Sequence, residues 1–172
     1  MGISQDVEEA ISRRQVTKID GQPQDRDIAK LQRELTEIAA SFPTSNGGGS
    51  HGHIGMLMDD TAYQAISTGG MPFVIPTNPG SYPANVDPDP VIREGQIADH
   101  KLELKEFETY LGVASGLRIK IQEAIDEEWL EGIRHEQLGF AHLTPMQMLD
   151  HIILGGAILD YMDVEELTSN LM

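Results

Sequence analysis

The 172-residue chain contains no cysteine. No disulfide can staple its fold, no thiolate can bind zinc, and no cysteine nucleophile is available. Aromatic residues are scarce: 1 Trp, 4 Tyr and 4 Phe. A core must therefore rest on Leu, Ile, Val, Met and Ala, a mix that favours helices over a sandwich of strands. Basic residues are few, 12 against 28 acidic, for a net charge of -16. The deficit is spread along the chain, with 6 basic and 12 acidic side chains in residues 1–90 and 6 and 16 in the remainder. Neither part offers the basic footprint that neutralising phosphates requires, and a field of this sign repels nucleic acid and anionic lipid at long range. Long apolar runs are missing too. None approaches the roughly 20 residues of a membrane span, and residues 1–20 lack the apolar stretch of a signal peptide. The Met1-Gly2 start does not read as a myristoylation signal, because Asp6 stands where Ser or Thr is needed. These absences lead us to expect a cytoplasmic protein, with the nucleus as the alternative, and neither DNA nor a membrane as partner.

What is present is 40% apolar residues, enough for the core of one domain or of two small ones sharing a border. Residues 1–24 are polar and weakly patterned, and read as an N-terminal arm. Val16, Ile19 and Pro23 suit an extended segment docked on the body, a frayed terminus being the other reading. The helical body is expected to span 25–172. Ile28, Leu31, Leu35, Ile38 and Phe42 recur at 3- and 4-residue steps, one stripe of a helix that Asp25 opens and Pro43 ends. After the flexible Thr44–Ser50 stretch, Ile54, Leu57, Met58, Ala62, Ala65 and Ile66 predict a second helix, stopped by Gly69-Gly70.

Residues 71–90 hold six prolines, which no helix survives. Phe73, Val74, Ile75 and Tyr82 suit an ordered loop lying on the body, a disordered linker being the other reading. Asp89-Pro90 starts a third helix along Ile97, Leu104, Phe107 and Leu111, with Gly112 as its stop and Glu103, Lys105, Glu106 and Glu108 on a solvated face. Ser115 opens a fourth helix, and Trp129, Leu130 and Ile133 sit on a short fifth, with Trp129 as a core or interface anchor. Thr144-Pro145-Met146-Gln147 is a capping box with Pro at the first helical position. Asp163-Val164-Glu165-Glu166 opens a last helix. The expectation is an all-α bundle of about seven helices, with a long proline-rich loop between the second and third.

Few residues suggest chemistry. His51 and His53, near Asp59 and Asp60, could bind a divalent metal, but two residues apart on a helix points them about 200° apart, so they converge only in a loop. The blander reading is that they cap or hydrogen-bond around a helix start. Gly47-Gly48-Gly49-Ser50 could cradle a phosphate, yet no Lys lies between Lys30 and Lys101 to complete a P-loop. Asp126-Glu127-Glu128 and Asp59-Asp60 suit helix starts, where the macrodipole favours acids. His151 reads as a satisfied core histidine. Ala114-Ser115-Gly116 lacks the flanks of a serine nucleophile motif. No catalytic residue, metal or cofactor is assigned.

Taken in order, several segments resemble the Gag, or capsid-like, region of copia-type LTR retrotransposons, especially algal and diatom forms. Val16-Thr17-Lys18-Ile19 with Gly21 and Pro23 looks like its opening segment, and Leu31-Gln32-Arg33-Glu34-Leu35 like its first helix. Gly48-Gly49-Ser50-His51-Gly52-His53-Ile54-Gly55-Met56 resembles its G-G-x-x-G-H-x-G-hydrophobic stretch, and Pro76-Thr77-Asn78-Pro79-Gly80 its P-x-N-P-G loop. Leu117 through Ile125, and Gly139-Phe140 with Thr144-Pro145 and Leu149-Asp150-His151-Ile152, look like its later segments. The resemblance covers about residues 16–170. One departure is the run from Gly155 to Tyr161, longer than the family's Tyr-Gly turn, so the last helix is expected to dock differently. The resemblance implies an orthogonal helical bundle, without enzymatic activity, that self-associates into a particle around element RNA. These residues hold no zinc knuckle or basic tail, so RNA would be bound by a basic region outside them. Two other readings stand beside it: a co-opted module of the same fold that recruits a host protein, and a metal-dependent enzyme using His51 and His53.

Overall fold

The computed structural model describes residues 2–155. Among these the chain is all-α, with five α-helices and no strand: α1 (Ile3–Ser12), α2 (Asp25–Ala40), α3 (Asp60–Ile66), α4 (Pro90–Ala124) and α5, helical from residue 145 to 155. The count differs from the expected seven, and the expected helix from Asp163 lies outside the described residues. No helix among the described residues is long and apolar enough to cross a membrane.

The largest differences from expectation lie in α1 and α4. Residues 3–12 form a helix, not an arm. Their apolar signal is only Ile3, Val7 and Ile11, one residue per turn, but Ile11 is fully buried against α4. The contact requires the glycines of α4. A Cβ on Gly112 would lie 2.6 Å from the Ser4 carbonyl oxygen, and one on Gly116 would lie 2.6 Å from Ile11 Cδ1. Gly112 is therefore a seat for α1 and not a helix stop. The expected third and fourth helices are one 35-residue helix, about 52 Å long at 1.5 Å per residue. Packing offsets the roughly 1 kcal/mol that each interior glycine costs a helix.

Residues 13–24 connect α1 to α2 without regular structure, through a turn at 13–14 and a bend at left-handed Gly21. Ile19 is buried, and its N–H donates to the Ala124 carbonyl at 2.7 Å beside an isolated bridge to Ile125. Asp126, expected to serve a helix start, instead ties this crossing down. Its carboxylate accepts from Lys18 Nζ at 2.8 Å and from the Gly21 N–H at 2.9 Å. The Lys18 bond first, then the Gly21 N–H, hold its pKa below the usual carboxylate value. Asp126→Asn should therefore speed amide hydrogen exchange at Ile19 and Gly21 while leaving α2 protected; unchanged exchange at both amides would contradict this role.

Helix α2 matches its sequence pattern, burying Ile28, Leu31, Leu35 and Ile38. Its start carries a capping box made by Gln24 and Asp27. The expected second helix is shorter than its apolar stripe: a 3-10 turn covers Ile54–Leu57, and α3 begins after Asp59, whose Oδ1 accepts the Ala62 N–H at 2.7 Å. The expected fifth helix is two 3-10 turns, Glu127–Trp129 and Glu131–Ile133. At α5, Thr144 Oγ1 accepts the Gln147 N–H at 3.1 Å while Gln147 Oε1 accepts the Thr144 N–H at 2.9 Å, so the capping box is closed in both directions. Buried Pro145 begins the helix, and Met148, Leu149 and Ile152 face the core.

Candidate functional site

The densest group of motif residues lies in the glycine- and histidine-rich segment 44–55, between α2, α3, the proline segment and α4. Glu106 of α4 is its anchor. One carboxylate oxygen accepts the Thr44 hydroxyl at 2.6 Å and the Asn46 amide at 3.3 Å; the other accepts the Ser45 hydroxyl at 3.3 Å and the Ser45 N–H at 3.4 Å. Asn46 passes the connection on, its carbonyl accepting the Val74 N–H at 2.6 Å. Glu106 was expected on a solvated face. Its partners lie about 60 positions away in the chain, so no local spacing marks it.

The glycines that follow allow close approach. A Cβ on Gly47 would strike the Tyr63 phenol, and one on Gly48 would lie 2.7 Å from the Thr68 carbonyl oxygen. The Gly48 carbonyl accepts the Thr68 N–H at 3.2 Å. Gly52 has φ +58, and a Cβ there would come within 2.6 Å of the Ala40 carbonyl oxygen. This left-handed turn brings the chain back onto the last turn of α2, where the His53 N–H donates to the Ala39 carbonyl at 2.9 Å.

The two histidines serve separate contacts. His51 Nε2 lies 3.1 Å from the Ile66 carbonyl oxygen, and its ring stands edge-on to Tyr63. His53 is fully buried, with Nδ1 2.6 Å from the Phe42 carbonyl oxygen, so the proton sits on Nδ1. Its Nε2 has no partner among the described residues, and its ring meets Phe73 edge-on. Among the described residues no group of three or more His, Asp or Glu side chains is arranged to hold a metal.

Burial lowers the His53 pKa below 6.5, against smaller upward pulls from the Phe42 carbonyl and Glu106. The folded state thus resists a proton that the unfolded chain accepts. Where the unfolded state binds more protons, stability rises with pH, so this group destabilises the fold as pH falls below about 6.5. Urea midpoints should drop from pH 7.5 to pH 5.5, and His53→Asn should flatten that drop. An equal drop in the variant would place its source elsewhere.

The proline segment is tied down by its own motif. Asn78 Oδ1 accepts the Gly80 N–H at 2.9 Å, and the Gly80 carbonyl lies 2.9 Å from Nε2 of buried His100 on α4. Pro76 and Pro79 flank this turn and are half-buried. Farther along, Asp87 donates its N–H to Gln96 Oε1 at 2.8 Å. Just past the C-terminal end of α4, Trp129 is half-buried, with its indole nitrogen enclosed and without a partner among the described residues. His151, half-buried on α5, lies against Gly132. A cleft of about 540 Å³ beside these turns is lined by Arg118 and Arg134 among others. Both guanidinium groups are engaged, Arg118 with the Leu143 carbonyl at 3.2 Å and Arg134 with Glu127 at 2.7 Å.

Sequence reasoning also missed Lys120, which is 2% exposed. Its ammonium donates to the Ser12 carbonyl at the end of α1 at 3.1 Å and to Glu123 at 2.9 Å. A cation there complements the helix C-terminus. The residues singled out for their motif thus bond mainly to one another and to the helices around them, so the arrangement fixes shape. No family model, curated protein or solved structure matches the chain.

Proposed function

We propose that this chain is a self-assembling structural protein, a capsid-like domain of the copia-type Gag kind, whose subunits associate into particles. The finer architecture proposed with it is the orthogonal helical bundle of that family. One observation carries the reading: the motif residues are consumed in internal contacts that lock the proline segment onto α4, while large apolar side chains on those same two elements face outward. Tyr82 is 85% exposed, Val91 78%, Ile75 59% and Leu102 59%. Scattered single residues of this kind are ordinary; what supports the reading is that these four fall on two elements that are bonded to each other, as an association surface would.

Many weak contacts made at once suffice to hold a shell. The charge of -16 opposes association, and screening relieves it, because the Debye length falls from about 10 Å at 0.1 M salt to about 3 Å at 1 M. Static light scattering should therefore show mass rising with salt and with protein concentration. A constant monomer mass across both series would refute the proposal. RNA would enter through a basic region beyond these residues.

A further inference from the structure

We propose that the outer face of the first half of α4 pairs with the same face of a second copy of this chain, the two helices running antiparallel. This deepens the assembly reading and rests on it. The inner side of this half-helix is occupied: His100 is buried under Gly80, and Gln96, Leu104 and Phe107 are half-buried on the same side. The opposite side carries Val91, Gly95, Ala98 and Leu102 at steps of four, three and four residues, all exposed. That spacing is the seam of paired helices.

Continuity within the chain shows what this side of α4 accepts. Ala98 and Gly116 are eighteen residues apart, which is five helical turns, so they lie on one side. At Gly116 that side already carries a helix, α1. Toward the start of α4 the cover ends near Ile3, in a groove that Leu102 and Lys105 also line. The far wall of that groove is Phe42–Ser45, and beyond it the side of α4 at Val91, Gly95 and Ala98 is exposed.

Charge selects the occupant. The chain as a whole carries -16, yet residues 91–105 hold three basic residues (Arg93, Lys101, Lys105) and three acidic ones (Glu94, Asp99, Glu103). This segment does not share the self-repulsion of the rest. One flank of the seam holds Glu94 and Lys101. In an antiparallel pair that flank meets itself, so each Glu94 faces the other copy's Lys101, twice over. A parallel pair would set Glu94 against Asp99 of the other copy, like against like, and Lys101 against Glu106, whose carboxylate is already taken by Thr44, Ser45 and Asn46. A helix pair about 22 Å long buries less than the roughly 1,200 Å² of a stable dimer. The contact is therefore weak alone and effective when repeated in an assembly.

The cysteine-free chain permits a direct test. Val91→Cys and Leu102→Cys alter exposed side chains and leave the core intact. Under mild oxidation at raised salt, a mixture of the two single variants should give covalent dimers linked 91 to 102, in excess over either variant alone and over a Glu128→Cys control. Leu102→Glu should weaken association of the full chain about tenfold or more. Links mainly between two copies of residue 91 would overturn the antiparallel arrangement. Wild-type association that survives Leu102→Glu, without 91-to-102 links, would overturn this interface while leaving the assembly reading intact. A wild type that is monomeric at every salt and concentration would overturn both.

Discussion

Gly52→Ala is expected to destabilise the protein by about 2 kcal/mol or more, one of the largest effects of a single added methyl group. Two costs combine. The backbone at Gly52 is left-handed, φ +58, which costs a residue with a Cβ roughly 1–2 kcal/mol. The new methyl would also sit 2.6 Å from the Ala40 carbonyl oxygen and 2.8 Å from that of Ala39. These oxygens belong to the last turn of α2 and cannot swing aside as a flexible side chain would. Relief requires lifting the loop, which stretches the His53 N–H bond to Ala39 and the Nδ1 bond to Phe42. Gly69→Ala is the internal control. Its φ is +69, but a Cβ there meets nothing within 4 Å, so it carries only the backbone cost. Urea unfolding of both variants should show Gly52→Ala the more damaging by a clear margin; equal losses would mean that the close approach to α2 is not rigid.

Glu106→Ala should cost about 2–3 kcal/mol and loosen residues 44–46 and 73–75 together. Hydrogen bonds to a charged group each contribute roughly 1.5–3 kcal/mol when protected from water, and Glu106 accepts from Thr44, Ser45 and Asn46. Its half-buried position lets water replace part of that, which keeps the total well below the sum of the bonds. Glu106→Gln keeps one acceptor oxygen and should lie between wild type and alanine. Hydrogen exchange distinguishes a local hinge from global loss: the Val74 N–H, bonded to Asn46, should lose protection first, before the amides of α2. Simultaneous loss in both would assign Glu106 to the core instead.

Why some of this was legible in the sequence and some was not follows from the range of the interactions. Helix α2 and the start of α5 carry their signals locally, in an apolar stripe and in the reciprocal Thr144–Gln147 cap. Helix α1 was missed because its stripe holds one apolar residue per turn, and its stability comes from the glycine seat on α4, over 100 residues away. The same glycines misled the reading of α4: in isolation Gly112 looks like a terminator, whereas close helix packing is what it supplies. The apolar stripe from Ile54 to Ile66 reads as one helix, and the break at the Asp59 cap with a 3-10 turn before it is not legible, because an apolar run alone does not separate the two helix types. Within the candidate site, the glycine and histidine motif stood out as a pattern. Its anchor did not, since a glutamate among charged neighbours on a helix looks like any solvated residue until the loop that covers it is in place.

Particle formation is the central claim, and negative-stain electron microscopy of the purified full chain tests it most directly. At high protein concentration and raised salt, where the -16 charge is screened, the account predicts closed particles of recurring size. A field of separate, monomer-sized molecules at every salt and protein concentration would contradict it.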